Sequence, residues 1–85
     1  MKLTKQIADR LKKKYKLKGF VYCGEVNGLE YYNVVRTGFG GASGLPMFLS
    51  LDKNGSEDWV RNVNQLSDLK KHFLPVNERD DLYLD

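Results

Sequence analysis

The chain has a single cysteine, Cys23, and a single histidine, His72. One cysteine excludes an intrachain disulfide framework and fits a reducing, cytoplasmic setting. One thiol and one imidazole cannot complete a zinc site, so no metal or other cofactor is expected. Apolar runs are only a few residues long, too short to span a bilayer. The Lys-rich start lacks the apolar core of a signal peptide, and its periodic apolar residues are needed for the core, so no membrane contact is expected. Acidic residues are scarce at one end: the first twenty positions hold Asp9 alone, beside eight lysines and arginines. The remaining positions carry ten acidic and six basic residues, for a net charge of +3 overall.

What is present indicates one small folded domain. Eighty-five residues with ten aromatics argue against disorder and support one modest core. Leu3, Ile7, Leu11 and Tyr15 recur every four residues, which predicts a helix from Thr4 to about Lys16 with Thr4 as its cap and Gly19 as its stop. The runs 20–26 and 29–37 flank Asn27-Gly28, the strongest short hairpin signal because both turn positions need positive φ. A two-residue turn pairs Val26 with Leu29, Glu25 with Glu30, Gly24 with Tyr31 and Cys23 with Tyr32. One face then carries Phe20, Tyr22, Val26, Leu29, Tyr31 and Val35 and is the better core face. Val21, Cys23, Glu25, Glu30, Tyr32 and Val34 share a mixed face, on which Val21, Tyr32 and Val34 form a patch suited to pairing with a second copy or with a partner.

A Gly-rich loop, 38–44, leads to strands at 47–51 and 57–61, joined by Asp52-Lys53-Asn54-Gly55. Leu66, Leu69 and Phe73 predict a second helix over 64–73, capped by Asn64 and ended by Pro75. The fold class is therefore α+β in the order αββββα: a mainly antiparallel, four-stranded sheet of two hairpins, with both helical stripes on one face. Residues 1–75 form the globular domain and 76–85 an acidic tail, whose Leu82, Tyr83 and Leu84 suggest docking.

Chemistry-bearing patterns are weak. No Lys-Ser or Lys-Thr follows the glycines, so 38–44 is no phosphate loop. Glycine arrives too early in 52–55 for a calcium loop. Glu25 and Glu30 face each other and need a compensating cation. No motif joins a nucleophile, a base and an oxyanion donor, and a non-enzymatic protein is expected. The charge split is the clearest pointer to a partner. Lys5, Lys12, Lys13, Lys16 and Lys18 form a basic surface suited to an acidic protein or, alternatively, to nucleic acid. Tyr32, Phe39 and Trp59 are the aromatic candidates for partner contact. The expected function is a small macromolecular binding module.

Overall fold

The computed structural model describes residues 2–36 and 45–85. Phe39 and the Gly-rich loop 38–44 lie outside the described residues. Helix α1 spans Lys5–Tyr15, and the Thr4 hydroxyl accepts the Ile7 N–H at 3.2 Å. Lys12, Lys13 and Lys14 fill the last turn, where cations complement the helix dipole. The helix stops at Lys16, which adopts the left-handed conformation (φ 58°) and donates its N–H to Lys12. Gly19 is thus not the stop. It lies within β1, and a Cβ there would sit 2.8 Å from the Leu84 backbone. Its smallness serves a close approach of chain segments rather than a helix end.

Strands β1 (Leu17–Val26) and β2 (Leu29–Arg36) meet at Asn27-Gly28, both with positive φ. The pairs Val26–Leu29, Glu25–Glu30 and Gly24–Tyr31 form as the turn dictates. A bulge then intervenes between Tyr22 and Gly24, so Tyr22 rather than Cys23 opposes Tyr32. One inserted residue exchanges the two faces of a strand. Phe20 and Tyr22 consequently share a face with Tyr32 and Val34, not with Tyr31 and Leu29.

β3 (Phe48–Leu51) and β4 (Glu57–Trp59) form the second hairpin. Its turn is held by the Asp52 carboxylate, which accepts the Asn54 and Ser56 N–H groups at 2.8 and 3.0 Å. Helix α2 runs Val63–Lys70, two residues shorter than predicted and shifted, because Asn62 rather than Asn64 caps it by accepting the Gln65 N–H. After a 3-10 turn at Val76–Glu78 comes β5, Asp81–Leu82.

β5 corrects the expected four-stranded sheet. The order is β4-β3-β2-β1-β5, with every neighbouring pair antiparallel. Leu82 pairs with Phe20, the Tyr22 N–H reaches the Asp80 carbonyl, and the Asp85 N–H reaches the Lys18 carbonyl. A two-residue strand was hidden among acidic residues, which are poor strand formers.

The helices occupy opposite faces, not one. Successive residues of a strand point to opposite sides. On β2, Tyr32 and Val34 join Ala8 and Leu11 of α1 in one core, whereas Tyr31 joins Phe48, Val60 and Phe73 in a second core with Leu66 and Leu69 of α2 packed on it. Because β2 is apolar on both sides, each side needs a cover. The mixed face expected from the sequence does not form: Tyr32 and Val34 are buried under α1, whereas Cys23 is buried in the core on the α2 side.

Candidate functional site

The basic helix α1 crosses the sheet, and both sheet edges send a carboxylate to it. Glu57, on edge strand β4, receives Arg10 at 3.0 Å, Lys14 at 3.2 Å and the Tyr15 hydroxyl at 2.8 Å. Its side chain is 10% exposed. Burial pushes the Glu57 carboxyl up, but Tyr15, its own N–H, Arg10 and Lys14 outweigh that and hold it down to about 2. On the opposite edge Asp85 takes Lys12 at 2.9 Å. Lys5 pairs with Asp9 one helical turn away. Hydrogen bonding to Asp9 and to Glu57 raises the affinities of Lys5 and Lys14, respectively, for their protons.

Most of the N-terminal charge is therefore answered within the chain. Lys13 and Lys18 have no ion-pair partner among the described residues. Lys16, at the helix end, is exposed and is itself engaged in an interaction. The facing glutamates are answered as well. Lys2 inserts between them: its Nζ lies 3.5 Å from Glu25, and its backbone N–H donates to Glu30 at 2.6 Å. The Tyr32 hydroxyl donates to the same Glu30 oxygen at 2.7 Å.

The aromatic candidates separate. Tyr32 is fully buried, so it presents nothing to a partner. Trp59 is half-buried, with Tyr15 edge-on at 5.0 Å between centroids and the Arg36 guanidinium at 5.2 Å. The Tyr15 contact packs α1 against β4, and the ring stays partly exposed. Cys23 is buried, and burial pushes its thiol up, away from the reactive thiolate form. Among the described residues no group of three or more His, Cys, Asp or Glu side chains is placed to hold a metal ion.

A surface that sequence reasoning missed lies on the α2 side. A cleft of about 450 Å3 opens between the segment entering β3 and the start of α2. Its walls are apolar: Leu45, Pro46, Met47 and Phe48 on one side, Val60, Val63 and Leu66 on the other. Val63 is 80% exposed, although it is a large apolar residue at the first position of a helix. Arg61 and Lys70 are the charged lining residues, and both are exposed. The Lys70 ammonium stands 5.4 Å from the Phe48 ring centroid. Neither has a carboxylate partner among the described residues, in contrast to Lys5, Arg10, Lys12 and Lys14 of α1. The one trace in the sequence was Val63, an apolar residue immediately before the predicted second helix and outside its Leu66, Leu69 and Phe73 stripe. The cleft's residues come from two segments, 45–48 and 60–70, that only the fold brings together.

Comparison with known proteins gives no match: no family model, no curated protein and no solved structure is significantly similar to the chain. Among the described residues no helix is long and apolar enough to cross a membrane.

Proposed function

We propose that this chain is a small, non-enzymatic, cytoplasmic binding module that engages a macromolecular partner through the α2-side cleft, with α1 serving as a structural strap. The observation that carries this reading is the cleft itself: a concave, mostly apolar surface edged by exposed cations. Exposed apolar groups gathered in one concavity mark interaction sites more often than scattered ones do. The buried thiol of Cys23 supports a reducing location and argues against thiol chemistry.

The nucleic-acid alternative through α1 is supported by Lys13 and Lys18, which lack ion-pair partners among the described residues. It is weakened by Lys5 and Lys12, which are held by carboxylates of the same chain. Binding through all four of Lys5, Lys12, Lys13 and Lys16 implies a slope of about −3.6 in log affinity against log salt on duplex DNA. Amide chemical-shift mapping separates the two. With a mixed peptide pool as probe, shifts are expected at Met47, Val63 and Leu66. Shifts at Lys13 and Lys18 on adding a DNA duplex, with that salt slope and no response to peptide, would overturn the proposal.

A further inference from the structure

The geometry points to an acidic polypeptide segment with apolar anchors as the occupant of the α2-side cleft, its carboxylates meeting Arg61 and Lys70. This rests on the reading of the cleft as the binding surface and adds the class of partner. The argument is charge complementarity. The fold answers several of its cations with its own carboxylates: Glu57 takes Arg10 and Lys14, Asp85 takes Lys12, and Asp68 takes Lys71. Arg61 and Lys70, like Lys13, Lys18, Lys53 and Arg79, have no carboxylate partner among the described residues, and of these cations they are the two that line the cleft, whose lining holds no carboxylate. Lys70 is held over the Phe48 ring, where an apolar neighbour strengthens its attraction to an incoming anion. A basic segment would meet two like charges over an apolar floor and would be rejected. Complementary rim charges of this kind raise encounter rates and set specificity, while the apolar floor provides the anchorage.

Two competing occupants fit less well. Nucleic acid needs a track of cations and exposed aromatic faces for stacking. The cleft offers two cations, and its one ring, Phe48, is only 8% exposed. A second copy could offer its own C-terminal residues, which are acidic and apolar. Those residues are already occupied, Leu82 in pairing with Phe20 and Asp85 with Lys12.

The experiment uses the full chain and labelled peptides matched in Leu and Phe content but differing in Asp/Glu against Lys content, with a labelled DNA duplex in parallel. Binding is read by fluorescence anisotropy. Acidic peptides are expected to bind wild type, and the double variant Arg61→Glu/Lys70→Glu to bind them about 10-fold more weakly, as opposed rim charges require. The variant Lys13→Glu/Lys18→Glu on α1 is expected to match wild type. Both pairs of positions are exposed, and unchanged circular dichroism verifies the fold of each variant. Equal binding of neutral or basic peptides, still lost in a Val63→Asp variant, would overturn the acidic assignment while leaving the cleft as the binding surface. Absence of binding by any peptide would overturn both. So would duplex binding lost in Lys13→Glu/Lys18→Glu, or a dimer in sedimentation that Arg61→Glu/Lys70→Glu dissolves.

Discussion

Replacing Glu57 by glutamine removes the charge that fastens α1 to β4 while keeping an acceptor for the Tyr15 hydroxyl. The magnitude follows from the carboxyl's position at about 2 when folded, against its ordinary 4.5. A depression of that size corresponds to about 3 kcal/mol at neutral pH. The side chains of Arg10 and Lys14 are 47% and 56% exposed, so solvent and salt screen their share, and ~1.5–2 kcal/mol is the expected loss. The pH dependence carries the stronger test. A carboxyl whose folded value lies below its unfolded one contributes stability that is fully present above 4.5 and is lost as pH falls through about 2. Roughly three-quarters of the difference between wild type and Glu57→Gln should remain at pH 4 and roughly two-fifths at pH 3. Urea unfolding followed by fluorescence of Trp59, the single tryptophan, reports on this junction, because its ring packs edge-on against Tyr15. A variant as stable as wild type at pH 7 would refute the reasoning. So would a deficit that stays constant from pH 7 to pH 3, since that would locate the loss in packing rather than in charge.

Other expectations concern the sheet edge and the buried phenol. Gly19→Ala places a Cβ 2.8 Å from the Leu84 backbone; it should destabilise the fold by ~1–3 kcal/mol and speed amide exchange at Tyr22 and Asp85, whose N–H groups bond across this edge. Unchanged protection there would show that the C-terminal segment is not held as described. Asp85→Asn should cost under ~0.5 kcal/mol, because that carboxylate is 69% exposed; a loss equal to that of Glu57→Gln would contradict the contrast drawn between the two edges. Burial, followed by the bond to Glu30, raises the Tyr32 phenol above its ordinary 10.0. A raised folded value gives stability that is present below pH 10 and lost as pH climbs beyond it, so alkaline unfolding should be milder in Tyr32→Phe. Reversible titration of all five tyrosines near pH 10 in the intact fold would refute this.

Local chemistry determined the elements that the residues alone specify. Thr4 caps α1 because its hydroxyl can satisfy an N–H three residues on, and Asn27-Gly28 makes the first turn because both residues tolerate positive φ. The α+β class, the two hairpins and the excess of positive charge at the start follow from such short-range rules. The bulge at Cys23 does not: an inserted residue leaves no local signature beyond Gly24, yet it decides which aromatic faces which helix. Strand β5 exists because the chain end lies beside the free edge of β1, with Gly19 permitting the approach, and not because Asp81-Leu82 favours a strand. The side each helix covers was set by β2 being apolar on both faces, a demand met only when two layers assemble. The same holds for charge. Eight basic residues among the first twenty were legible as a basic surface. Only the tertiary structure could bring Glu57 and Asp85 from opposite edges of the sheet to neutralise the flanks of α1, while leaving Arg61 and Lys70 unanswered beside an apolar cleft. Coulomb attraction acts over a few ångströms, and the fold, not the order of residues, sets which charges come that close.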